Sequence, residues 1–136
     1  MSPTPKAKKS APFRSRDAAR TQAEILSVAA DEFAEHGFHG ARIGRITQAA
    51  SCNSRMIYHY FGNKEGLYIA VLDKAFADIR RQEAGLNFEE GDPSEKIREL
   101  VTFTFDYFVT NRHFLKLTRN ENLMNGKYIK RSGMVR

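Results

Sequence analysis

Apolar residues return at three- and four-residue intervals along most of the chain, and no segment alternates as a half-buried strand would. Ile25, Leu26, Ala29, Ala30 and Phe33 set the period of a first helix. Thr21 and Glu24 fit a capping box at its start, although "RDAAR" leaves room for a start near Arg16, and Gly37 is placed to stop it. Ile43, Ile46 and Ala50 share one face of a short second helix. Ile57, Tyr60 and Phe61 share one side of a third, and the turn-forming run Ser51-Cys52-Asn53 separates the two. Asn63 is placed to cap a longer helix from Lys64, whose inward set runs through Leu67, Tyr68, Val71, Leu72, Ala75, Phe76 and Ile79 to about Ala84, with Gly85 ending it. Asp92 and Pro93 then open a helix as N-cap and N1. Ile97, Leu100, Val101, Thr104 and Phe108 mark one face and Phe103 and Tyr107 another, an arc wide enough to predict packing on two sides. A last helix spans about His113 to Asn125 on Phe114, Leu117, Leu123 and Met124, with Gly126 after it. The predicted fold class is all-α.

The length of 136 residues and 41% hydrophobic content suit one ordinary domain, or a small domain with part of another. The net charge of +6 points to an anionic partner, nucleic acid or an acidic membrane surface. That charge is concentrated at one end. Lys6, Lys8, Lys9, Arg14, Arg16 and Arg20 face only Asp17 within the first 20 residues, which leaves +1 for the remainder. With Pro3, Pro5 and Pro12 and no apolar period, residues 1–14 read as a disordered basic tail, either a solvated leader or an arm for phosphates. The single cysteine, Cys52, excludes an internal disulfide and fits a reducing, cytoplasmic setting, where it reads as a small core residue. No secretory h-region follows the basic start, and no apolar run reaches the ~18 residues of a membrane span.

Composition changes the picture most between His36 and Asn63, where there is no Asp or Glu but there are Arg42, Arg45 and Arg55. Two short helices joined by a tight turn make a helix-turn-helix, whose second helix enters the DNA major groove. Ile46, Ala50, Cys52, Ile57 and Tyr60 can fill its interior, with Thr47 as the small residue. At about 100° per residue, Ser54 with Tyr58 and Arg55 with His59 are i,i+4 pairs pointing away from Ile57 and Phe61. Arg55 can fork onto guanine O6 and N7. Lys64 opens the next helix, where free N–H groups favour a phosphate.

The runs "ILSVAADEFAEHGFHGARIGRITQAA" and "IYHYFGNKEGLYIAVL" resemble the N-terminal domain of the TetR (tetracycline-repressor) family of bacterial transcription regulators, above all in "YHYF-x-x-KE-x-L". The resemblance covers about residues 21 to 72. It implies a helix-turn-helix domain over 15–63, with Arg42, Arg45, Ser54, Arg55, Met56, Tyr58, His59 and Tyr60 toward double-stranded DNA and Lys64 on a phosphate. Residues 64–136 would be a linker helix and part of a C-terminal ligand-binding domain. It further implies a ligand-responsive repressor that binds a palindromic operator as a homodimer, with an unknown small-molecule effector. An apolar effector pocket would use Phe103, Tyr107 and Phe108, with Asn120 and Glu121 as polar groups, although the aromatic cluster also reads as ordinary core. The chain departs from the family at Ala41 and Arg42 (usually Thr or Ser), at Ser51 (usually Gly), and at Arg55 and Met56 (often Gly and Thr). It also ends before the last helices of the family, which implies either a fragment or a truncated regulator.

Other classes fit less well. There is no nucleophile–base pairing, Gly-rich phosphate loop or carboxylate pair, so no enzyme is predicted. His36, His39, His59 and His113 lack ligand spacing with one another and with Cys52, so neither a metal nor a cofactor is expected. The alternative is a truncated regulator acting as a protein-binding module that pairs with a full-length partner.

Overall fold

In a computed structural model, residues 4–86, 89 and 91–131 are described, with side chains from residue 17 onward. Six helices form α1 (Thr4–Gly40), α2 (Ile43–Ala50), α3 (Ser54–Phe61), α4 (Lys64–Glu83), α5 (Pro93–Thr110) and α6 (Arg112–Leu123), followed by a 3-10 turn, Ile129–Arg131. No strand occurs among the described residues. Five of the six helices lie within a few residues of where the apolar period puts them.

The first helix differs. Its backbone is helical from Thr4, so Thr21 and Glu24 lie inside the helix and cap nothing, and residues 4–14 are not the irregular tail that their prolines suggested. Pro5 falls in the first turn, where its missing N–H has no helical partner to lose, and the Lys and Ala residues after it are good helix formers. Gly37 interrupts the far end at φ 72°, ψ 178°, a region open in practice to glycine alone.

The main core gathers Ile25, Ala29 and Phe33 of α1, Ile46 and Ala50 of α2, Ile57 of α3, and Leu67, Tyr68, Val71 and Leu72 of α4. Leu117 of α6 and Tyr128 beyond it belong to the same core, so the helix-turn-helix region is closed partly by residues that the sequence assigns to the second domain. α6 lies along α1, held by an Asn120 side-chain N–H donated to the Phe33 carbonyl (3.2 Å) and by a Lys116–Glu35 ion pair. Ile79, Tyr107 and Phe114 form a second, smaller cluster with Phe76, Phe103 and Phe108.

α5 does not pack on two sides. Only Tyr107 is buried on it, while Ile97, Val101, Phe105 and Val109 stand in solvent. A wide apolar arc tells that a helix can bury two faces, not that two partners are present.

Candidate nucleic-acid interface

The helix-turn-helix is built from short, well-ended pieces. The α2–α3 turn passes through Ser51 in the left-handed region (φ 53°, ψ 43°), where its N–H donates to Gln48 and the Cys52 N–H to Thr47. A residue with a Cβ there is strained, as the substitution of the family's usual glycine predicts. Asn53 begins α3 by accepting the Met56 N–H at 2.9 Å, and Asn63 begins α4 by accepting the Gly66 N–H at 2.7 Å. Gly66 is there for closeness. A Cβ at this position would lie 2.1 Å from the Phe61 carbonyl oxygen, so any larger residue would push α3 and α4 apart.

The start of α2 has an unusual cap. Arg42, in the N-cap place, makes no side-chain cap bond. Its N–H instead donates to the carboxylate of Glu32 on α1 (3.0 Å), which also accepts the Arg45 Nε at 2.8 Å. Glu32 is only 11% exposed. Burial alone would raise its pKa, but the bonds from Arg45 and from the Arg42 backbone outweigh that and hold the carboxyl below its usual range. One acid therefore supplies across helices what a Ser or Thr at position 42 would supply locally. Periodicity could not reveal this, because Asp31 and Glu32 stand side by side before Phe33 and only the structure shows which of them meets α2.

The outward face of α3 carries the predicted set. Ser54, Arg55, Tyr58 and His59 are exposed, Met56 and Tyr60 are half-buried, and Ile57 is fully buried beneath them. Tyr60 and Phe61 pack against the main core, so Tyr60 turns more toward the protein than its neighbours do. The Arg55 side chain makes no hydrogen bond or ion pair among the described residues. Arg42 is exposed at the edge of α2. Arg45 differs from the other arginines in being tied at both ends, to Glu32 and, through Nη2, to the Gly40 carbonyl at 3.0 Å. Lys64 is half-buried with its ammonium 5.0 Å from the Phe38 ring centroid, and burial lowers its pKa despite the nearby Glu32.

The five effector-pocket candidates do not come together. Phe103, Tyr107 and Phe108 share the second cluster, where burial raises the Tyr107 pKa. Asn120 and Glu121 face the main core instead. Glu121, 3% exposed, accepts the Tyr68 hydroxyl (2.9 Å) and the N–H groups of Tyr128 (3.2 Å) and Ile129 (3.0 Å). Burial, then donation to that carboxylate, pushes the Tyr68 hydroxyl far above its usual range and keeps it a donor. Between them, Asn120 and Glu121 bond α1, α4 and the segment after α6, and line no open space with the aromatic trio. Cys52 is half-buried, and burial raises its thiol pKa, which suits packing rather than reactivity.

A capped short helix with a polar, acid-free outer face, seated on a second helix through one tight turn, defines a helix-turn-helix protein. Residues 25–71 match the model of the "Bacterial regulatory proteins, tetR family", and residues 93–136 that of the "Tetracyclin repressor-like, C-terminal domain". The chain belongs to the TetR family of bacterial regulatory proteins.

Its relatives are regulators. It is 41% identical over 123 residues to the HTH-type transcriptional repressor NicS of Pseudomonas putida, covering 90% of this chain and 58% of NicS. It is 47% identical over 64 residues to the HTH-type transcriptional repressor SCO4008 of Streptomyces coelicolor, covering 47% of this chain and 33% of that protein. Among solved structures it is similar to the transcriptional regulator SCO4942 of Streptomyces coelicolor, with a TM-score of 0.67 and 26% identity over 81% of this chain and 57% of the other. The fatty acid degradation regulator FadR of Bacillus halodurans gives a TM-score of 0.54 at 27% identity, over 78% of this chain and 67% of that one. The chain thus spans well under two thirds of the length of these two repressors.

Proposed function

We propose that this chain binds double-stranded DNA through α3 and serves as a cytoplasmic, effector-responsive transcriptional repressor working as a homodimer on a palindromic operator. The observation that carries the reading is the outer face of α3. Ser54, Arg55, Tyr58 and His59 are exposed on a helix fixed by Ile57 and the Asn53 cap, in a stretch without a carboxylate. Arg55 reads base edges, while Arg42 and Lys64 hold phosphates. Arg45 contributes mainly by holding α2 to Glu32. Two subunits would set their α3 helices in successive major grooves, about 34 Å apart. The apolar face of α5 at Ile97, Val101 and Phe105 supports a contact with another protein surface, as the homodimer requires. The effector site rests on Phe103, Tyr107 and Phe108 alone, and a ligand there acts only by preferring the DNA-free state.

The test is binding to a random duplex pool at two salt concentrations, followed by selection of the retained sequence. Binding should weaken steeply with salt. Arg55→Ala should relax preference at one base position at a cost of about 1–3 kcal/mol, whereas Lys64→Ala should weaken all duplexes alike. Equal losses on every sequence for both variants would overturn this division of roles, and salt-insensitive binding would favour a protein-binding module.

A further inference from the structure

The segment Lys127–Arg131 follows α6, yet it packs against the helix-turn-helix. The Tyr128 ring is 4% exposed and lies 4.6 Å from the Phe38 ring and 5.2 Å from that of Tyr68. The backbone on either side is fixed by the two N–H bonds to Glu121. Arg131 pairs with Glu65, the first acid after the acid-free stretch, and its guanidinium lies 5.8 Å from the Tyr128 ring. Lys127 sits over the other aromatic partner of this stack, its ammonium 5.3 Å from the Tyr128 centroid, as Lys64 sits over Phe38. Phe38 and Tyr128 thus form one aromatic support that carries Lys64 from the DNA-binding region and Lys127 from the end of the other.

We propose that Lys127 and Lys130 contact the DNA phosphate backbone beside the Lys64 contact, extending the DNA footprint onto the segment after α6. The inference rests on the DNA-binding reading above. Three features of this segment favour nucleic acid. Residues 127–131 hold three cations and no acid. Of the two carboxylates near them, Glu65 is already paired with Arg131, and Glu121 is buried and bonded to the Tyr68 hydroxyl and the Tyr128 and Ile129 N–H groups. Lys127 and Lys130 are exposed and have no carboxylate partner among the described residues. The backbone that carries them is anchored by a buried ring and a buried carboxylate, so little backbone freedom is lost when they meet a polyanion. Such contacts add affinity without sequence preference.

The experiment is fluorescence anisotropy of the full chain on a labelled random-sequence 30-base-pair duplex, over a series of salt concentrations. Each lysine that neutralises a phosphate contributes about 0.9 to the slope of log K against log[salt]. The double variant Lys127→Gln/Lys130→Gln should therefore bind with a slope shallower by about 1.8. A control, Arg98→Gln/Arg112→Gln, removes the same charge from α5 and α6 and should leave the slope unchanged. An unchanged slope in the lysine variant, or an equal fall in the control, overturns the inference while leaving DNA binding in place. A wild-type chain that retains no duplex at any salt overturns the DNA-binding reading and this inference with it. Circular dichroism of both variants should match the wild type, because all four side chains are exposed.

Discussion

Ser51 holds a backbone conformation that residues with a side chain rarely adopt. Its backbone sits at φ 53° where the three-residue turn ends α2 and redirects the chain into α3, and the Cβ makes that conformation cost about 1–2 kcal/mol. Ser51→Gly relieves the strain, while a more flexible unfolded chain offsets about 0.5–1 kcal/mol of it. The variant should be more stable by up to about 1.5 kcal/mol in urea melts; a loss would mean that the serine side chain holds the turn. This strain was legible through the family resemblance, because a serine stands where the family usually has glycine. So were the outward Tyr58 and His59 and the inward Ile57, since side-chain direction on a short helix follows from 100° steps. What Arg45 does was not legible. A cation on an exposed helix face looks alike whether it awaits a phosphate or already holds a carboxylate thirteen residues away.

At the scale of elements, the informative junction is between α1 and α2. Glu32 ends two orphan problems together, accepting an N–H at the start of α2 and fixing Arg45. Because its pKa is held below the unfolded value of about 4.3, the stability that it supplies is present above that pH and fades as pH falls through the lowered folded value. Glu32→Gln should melt earlier than the wild type at pH 7, and the gap should close as pH falls through the lowered folded value and the carboxyl takes up its proton. Thermal melts of both proteins across that range decide it, and a gap that stays constant would mean that packing, not charge, sets the difference. The helices themselves were legible because each repeats its apolar residues with the right period. Their ends were less so. Asn63 caps as its position suggests, but Asp92 forms no side-chain cap bond, Thr21 lies mid-helix, and Asn53, read only as a turn residue, caps α3. A capping sequence marks a permitted start, and only neighbouring turns decide whether the helix continues through it.

At the scale of the molecule, the main core ignores the boundary drawn at residue 63. Glu121 and Tyr128 were invisible as junction residues because their partners lie far off in sequence, and no local period encodes a contact between residues 68 and 121. Tyr68→Phe should test their weight. It keeps the ring contacts with Phe33 and Tyr128 and removes one donor from a buried carboxylate, a loss of about 1–3 kcal/mol. Chemical denaturation should show a single transition shifted by that amount. Two separated transitions in the wild type would mean that the regions melt independently despite their common core.

That common core also limits modularity. Exchanging reading heads between regulators assumes that the head is a complete object once cut from its body. Here a head severed after α3 would lose the Tyr128 and Tyr68 rings that pack on Phe38, and one severed after α4 would keep Tyr68 but leave behind the Tyr128 ring and the carboxylate that accepts the Tyr68 hydroxyl. A transplant of this operator preference onto another regulator's frame therefore has to carry the α6 stretch through residue 131, or bring a host surface with an equivalent ring and acid.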